Sequence, residues 1–246
     1  MQIGVIRALA DSAVTLELSD AVGPEASALV AATQAALERA MALGELEGVS
    51  EVASAFCSVT VHYDCLRIAQ NDLVRRLTAI LAPVTPAALS AGRSWQIPCC
   101  YSDELGLDLR DLEENLGLNR ARIVEIHQQT SFHVYALGFL PGLPFLGDLP
   151  QALACPRRTE PRTRVPAGSV AIANGMCVIY PWNSPGGWHI VGRCPVPLFD
   201  IARKVPALFS AGDSIRFRSV GPEELADLDS DLRSGRRDAL TFQGAS

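Results

Sequence analysis

Residues 132–150 read FHVYALGFLPGLPFLGDLP, and residues 155–200 read CPRRTEPRTRVPAGSVAIANGMCVIYPWNSPGGWHIVGRCPVPLFD. Proline and glycine interrupt this stretch at short intervals, and brief apolar runs such as 170–173 and 178–180 stand between the interruptions. Closely spaced turns around short apolar runs are how a small antiparallel barrel or sandwich is written. Arg157, Arg158, Arg162 and Arg164 fall within eight positions, interleaved with Pro156, Pro161 and Pro166. Restricted backbone lowers the entropy lost in holding such a loop. A guanidinium fork matches a carboxylate or phosphate with paired hydrogen bonds. The segment therefore reads as an anion-binding loop on a rigid β scaffold, or else as a basic loop that is solvated or salt-bridged.

Around this stretch, the 246-residue chain is long enough for two domains, and its 48% hydrophobic content fits a compact protein. A net charge of −6 gives no general attraction to nucleic acid or to an anionic membrane. The N-terminus MQIGVIRALADSAV places Arg7 inside its one apolar run, unlike a secretory signal, and no stretch approaches a spanning helix. The expected compartment is the cytosol. The seven cysteines (57, 65, 99, 100, 155, 177, 194) are odd in number and form no CxxC pair. They read as reduced thiols filling apolar strands, and no metal site is expected. Twenty arginines accompany one lysine, Lys204, and no GxxxxGK[ST] loop occurs, which excludes a Walker-type phosphate site.

Composition shifts near residue 93: five glycines and three prolines precede it, fourteen and thirteen follow. Residues 1–92 read as an α+β domain of order ββαββα: strands over 2–8, 14–18, 49–55 and 58–63, helices over 24–43 and 71–81. That order implies a small sheet with both helices on one face. A linker is expected at 87–92. Residues 93–222 begin with a strand at 95–101 and helices at 109–116 and 120–128, the second capped by Asn119. Strands follow at 132–139, 170–173, 176–180, 188–191 and 214–220, with 140–150 and the arginine segment as loops. Residues 223–246 read as a polar tail, a short helix with a frayed end.

Single residues in the second half invite chemistry. His127 ends a helix, where the dipole favours a charged imidazole and a raised pKa, or it serves a structural role. His189 follows Trp188 beside a Pro-Gly-Gly turn and lines a pocket or the surface. Tyr180 ends a strand with a hydroxyl free to meet a ligand or to cap the barrel. Gly186 and Gly187 allow close backbone approach, as does Gly142 in the Pro/Gly-rich loop. Ser169 lacks the GxSxG elbow of a serine hydrolase. No complete catalytic set stands in the chain.

Taken together, LGFLPGLPFLGDLP (137–150), PRRTEPRTRVPAGSV (156–170) and YPWNSPGGWHIVGR (180–193) closely resemble the B-type subunit of bacterial 5-oxoprolinase. This family is also called allophanate hydrolase subunit 1, and it includes the sporulation-kinase inhibitor KipI. The resemblance implies an N-terminal α+β domain followed by a cyclophilin-like β-barrel. It implies work alongside a C-type subunit of similar barrel fold and an A-type subunit, in ATP-dependent opening of 5-oxoproline to glutamate. It also implies two alternatives: half of a biotin-dependent carboxyltransferase of urea-carboxylase type, or a regulator that binds a sensor histidine kinase. On this basis Arg162, Arg158, His127 and Tyr180 are the candidate catalytic residues. Arg157, Arg164, Gly142, Ser169, Gly186, Gly187 and His189 are the candidate substrate- or anion-binding residues. Two departures stand out. The family pattern Tyr-Gly-Gly…Gly-Pro-Asp-Leu is YSDELGLDL at 101–109, and MCVI at 176–179 is closer to the urea-carboxylase type.

Overall fold

A computed structural model of the chain describes residues 5–84 and 92–244. Apart from Gly92, the linker expected at 87–92 lies outside the described residues. The chain divides into two compact units, residues 1–91 and 92–246.

The first unit runs β1 (Val5–Leu9), β2 (Ala13–Glu17), α1 (Pro24–Ala42), β3 (Val49–Ser54), β4 (Ser58–Tyr63) and α2 (Gln70–Leu81). Its antiparallel sheet has the order β1-β2-β4-β3. Strand alternation puts Val59, Val61 and Tyr63 of β4 inside. Proline in the first turn of α1 gives up an amide that has no intrahelical partner anyway. Val30 and Leu37 of α1 and Leu73, Leu77 and Leu81 of α2 join the β2 and β4 residues in one core. The ββαββα order is therefore realised with both helices on one apolar face.

The second unit begins with β5 (Ser94–Cys99), α3 (Leu109–Leu116), α4 (Arg120–Gln129), β6 (Phe132–Leu137) and β7 (Pro144–Gly147). It continues with β8 (Arg162–Val165), β9 (Ser169–Ala173), β10 (Met176–Ile179), β11 (Ser184–Gly186), β12 (His189–Arg193), β13 (Ser214–Ser219) and α5 (Pro222–Arg233). Seven strands form a sheet of order β12-β9-β10-β7-β6-β13-β5, in which only β5 and β13 run parallel. The sheet curls until its edges meet. Cys100, just past β5, and Arg193 of β12 exchange two backbone hydrogen bonds of 2.9 Å each. Gly192 makes this closure possible, because a Cβ there would stand 2.7 Å from both the Cys100 carbonyl and the Cys99 Sγ. Phe132, Val134, Leu146, Ile172, Cys177, Ile179 and Phe217 fill the barrel. Asp213, 2% exposed, accepts from Arg93, the Trp95 indole and the Ser210 amide, and so fixes β5 beside β13.

Three expectations change. Residues 140–150 are not all loop, since β7 lies between β10 and β6. Its proline opens the strand, a position where the missing amide is tolerated. The arginine segment is partly a strand as well: β8 pairs with β11 as a two-stranded ribbon. The tail is not frayed. Leu228 of α5, Ala239 and Phe242 are buried, and the Gly244 amide donates to the Ser94 carbonyl at 2.8 Å. Few apolar residues mark the tail, but those few meet the barrel. All seven cysteines are unpaired, and five are buried. Among the described residues no helix is long and apolar enough to cross a membrane.

Candidate functional site

The arginine segment is organised by a residue outside it. Asp108, immediately before α3, is fully buried. Arg162 forks onto it, with Nη1 donating to Oδ2 at 2.8 Å and Nη2 to Oδ1 at 2.7 Å. Arg158 Nη1 donates to Oδ1 at 2.5 Å, and the Ile190 amide of β12 donates to Oδ2 at 2.6 Å. In return the Asp108 amide donates to the Ile190 carbonyl at 3.0 Å. An aspartate at a helix N-cap ordinarily caps its own helix. Here the side chain makes no cap bond and serves the arginines instead. A buried carboxylate with two guanidinium partners and an amide is well satisfied, and its partners are equally committed. Arg158 and Arg162, expected to be catalytic, are thus held in an ion-pair cluster that ties the arginine segment to α3 and β12.

Arg157 is different. It is exposed and forms no ion pair among the described residues, and its guanidinium carbon lies 5.7 Å from the centre of the Trp188 ring. That is cation–π distance. It lines a cavity of about 150 Å³ whose other walls include Phe139, Phe145, Tyr180, Gly186, Gly187 and Trp188. Phe139 is 71% exposed and holds a left-handed backbone, φ 66°, which is uncommon for a bulky side chain. Strain of this kind concentrates at binding sites. Gly186 is required by a close approach: a Cβ there would lie 2.5 Å from the Tyr180 hydroxyl oxygen. Burial raises the Tyr180 pKa, and the positive charge of Arg157 pulls it partly back. The shift favours the protonated phenol, which can donate or accept a hydrogen bond. The cavity offers aromatic faces, one hydroxyl and one unpaired cation.

His127 corrects an expectation. The helix end does not raise its pKa; burial lowers it to about 3. The ring is 1% exposed, sits between Phe132 and Phe217 at centroid distances of 5.1 Å and 4.7 Å, and pairs Nδ1 with the Tyr101 hydroxyl at 2.9 Å. Cys177 Sγ lies 3.5 Å from its Nε2. His127 is a neutral core residue, because desolvation outweighs the helix dipole here. Gly186 and Gly187 line the cavity, and the Gly187 carbonyl also accepts from the Arg158 amide at 2.8 Å. Gly142 packs against Phe199, Ser169 is buried with its carbonyl accepting from the Tyr180 amide, and Arg164 is exposed on β8. His189 lies behind the arginine segment, with Nε2 3.1 Å from the Pro156 carbonyl. Asp108 is the residue that sequence reasoning misses.

Residues 5–209 match the family described as carboxyltransferase domain, subdomain C and D. The chain belongs to this family. It is 31% identical over 229 residues to the B-type subunit of 5-oxoprolinase from Bacillus subtilis (strain 168), covering 89% of this chain and 94% of that protein. Against the B-type 5-oxoprolinase subunit of Haemophilus influenzae the identity is 38% over 177 residues, covering 72% and 82%. The crystal structure of TTHA0988 superposes with a TM-score of 0.74 at 34% identity, over 89% of this chain and 41% of that one. This chain thus spans about two fifths of TTHA0988. Kluyveromyces lactis urea carboxylase shares the fold, with a TM-score of 0.74 at 19% identity over 94% of this chain and 23% of its own. Within this carboxyltransferase-domain fold, the MCVI string of 176–179 is mainly barrel core: Cys177 and Ile179 are fully buried, and Val178 alone reaches the cavity wall.

Proposed function

We propose that this chain is the B-type subunit of an ATP-dependent 5-oxoprolinase, acting with A- and C-type subunits, and that the Arg157 cavity receives 5-oxoproline. The carrying observation is the unpaired Arg157 guanidinium over Trp188 beside an aromatic cavity. The names of the Bacillus and Haemophilus relatives support it. In this reading the carboxylate pairs with Arg157, the flat ring lies against Trp188 and Phe145, and the Tyr180 hydroxyl donates to the lactam carbonyl. Ring opening breaks the lactam C–N bond, water supplies OH to the carbonyl carbon and H to the nitrogen, and glutamate results. This chain binds, orients and polarises. One unpaired cation suits a single carboxylate better than a triphosphate, so ATP falls to a partner subunit. The unpaired thiols fit a reducing cytosol.

The carboxyltransferase family favours a second reading, half of a biotin-dependent carboxyltransferase, in which the same cavity takes the flat ureido ring of biotin. A biotinylated carrier copurifying with the complex would mark that outcome. The test of the first reading is a calorimetric titration of the assembled complex with 5-oxoproline and with 2-pyrrolidone, which lacks the carboxylate. Arg157→Ala should weaken 5-oxoproline by about 10- to 100-fold, the worth of a charge-assisted hydrogen bond, and leave 2-pyrrolidone unchanged. Equal 5-oxoproline affinity in both proteins overturns the assignment.

A further inference from the structure

The seam that closes the barrel brings two thiols face to face. Cys100 and Arg193 pair as an isolated antiparallel bridge and exchange two backbone hydrogen bonds of 2.9 Å. Residues flanking such a doubly bonded pair oppose each other without bonding, with Cα atoms about 4.5 Å apart. Here those residues are Cys99 and Cys194. Their backbone groups are met elsewhere, as that pairing requires: the Cys99 carbonyl accepts from the Val220 amide at 3.1 Å, and the Cys194 amide donates to the Gly168 carbonyl at 2.8 Å. Directly opposed side chains share a face. The close approach at Gly192 bears this out, because Gly192 stands two residues before Cys194 and so on its side of the strand. A Cβ at Gly192 would lie 2.7 Å from the Cys99 Sγ. Both thiols are free and buried in the barrel core, and neither lines the Arg157 cavity. Burial pushes the Cys99 thiol well up, and among its neighbours Cys194 has the largest further effect.

We propose that Cys99 and Cys194 are a modification site, which hydrogen peroxide converts into a reversible disulfide that locks the barrel seam. A disulfide spans Cα atoms about 4.4–6.8 Å apart, so this pair is bridged without shifting the strands. One sulfur, as thiolate, attacks a peroxide oxygen; the O–O bond breaks, leaving a sulfenic acid and one water. The second thiol attacks that sulfur, the S–O bond breaks, the S–S bond forms and a second water leaves. The pair loses two electrons, the peroxide gains them, and both thiol protons end in water. Burial keeps the two thiols protonated while the barrel is closed, the Cys194 thiol being pushed up to about 12. The reaction therefore runs from a transiently opened seam, where the sheet edges part and solvent reaches both sulfurs together. The link then ties residue 99 to residue 194 across most of the second unit, and closing a long loop is where a disulfide stabilises most. The site is independent of the proposed function, since it needs neither a ligand in the cavity nor a partner subunit.

The experiment uses the full chain carrying Cys65→Ser, which removes the exposed thiol and with it links between molecules. The protein is held overnight in hydrogen peroxide, its remaining thiols are alkylated, and its tryptic peptides are mapped by mass spectrometry. Cys99 and Cys100 fall in the peptide 94–110, Cys194 in 194–203 and Cys177 in 165–193. Peptides 94–110 and 194–203 should appear joined, with fragmentation placing the bond on Cys99, and dithiothreitol should part them. The oxidised chain should melt about 5–15 °C higher, the gain from closing a long loop in a unit of this size. Adding Cys194→Ser should abolish both the link and the gain in Tm; where that variant fails to fold, the peptide map of the Cys65→Ser chain decides alone. Cys99 and Cys194 recovered unlinked, a bond placed on Cys100 or Cys177, or a link that leaves Tm unchanged overturns the proposal.

Discussion

Removing the Asp108 carboxylate should disorganise the whole arginine segment. Asp108→Ala strands two guanidinium groups and the Ile190 amide, all now bonded to it at 2.5–2.8 Å. Breaking a buried ion pair by deleting one partner costs about 3–5 kcal/mol. The Arg158 and Arg162 side chains remain 24% and 23% exposed, so water recovers part of this, and the lower end, about 3 kcal/mol, applies. For a unit of this size that is a fall in Tm of about 6–12 °C. Thermal unfolding followed by circular dichroism measures it. A cycle separates the pair from the packing: with Arg158→Ala and Arg162→Ala already present, Asp108→Ala should cost at least about 1.5 kcal/mol less than in the wild type. A loss under about 1 kcal/mol, or strict additivity in the cycle, would refute the claim that Asp108 anchors the segment.

Other consequences follow from the core and the barrel seam. The unfolded His127 imidazole ionises near pH 6.5 and the folded one near 3, so stability present above pH 6.5 should fall by about 1.4 kcal/mol per unit below it. Urea denaturation at pH 7.5 and 5.0 should differ by about 2 kcal/mol, and His127→Gln should flatten this difference; an equal slope in the variant contradicts the buried neutral ring. Gly192→Ala sets a methyl group against Cys100 and Cys99 at the seam and should cost about 1–3 kcal/mol, visible as a lowered Tm. Truncation after Ser234 removes the buried Ala239 and Phe242 and should destabilise the second unit, whereas an unchanged Tm would restore the frayed-tail reading.

Much of the fold was legible because periodicity and turn residues are local signals. The β4 alternation and the Asn119 cap, which accepts from the Arg122 amide at 2.9 Å, could be read directly. Strand β7 was hidden because proline at 144 and glycine at 142 and 147 look like loop, and pairing to β6 and β10 is a tertiary fact. The site was half legible. Four arginines announced an anion site, but Asp108, some fifty residues earlier, engages two of them and leaves Arg157 and Arg164 without an ion pair among the described residues, Arg157 facing Trp188. The dipole argument for His127 was sound locally and was overridden by burial among Phe132 and Phe217.

The most direct test is glutamate release from 5-oxoproline by this chain co-expressed with A- and C-type subunits, with ATP supplied. The account predicts release that requires this chain and drops at least about tenfold in Arg157→Ala, whose complex still assembles and melts at the wild-type temperature. Release that persists without the chain, or that is untouched by Arg157→Ala, contradicts it.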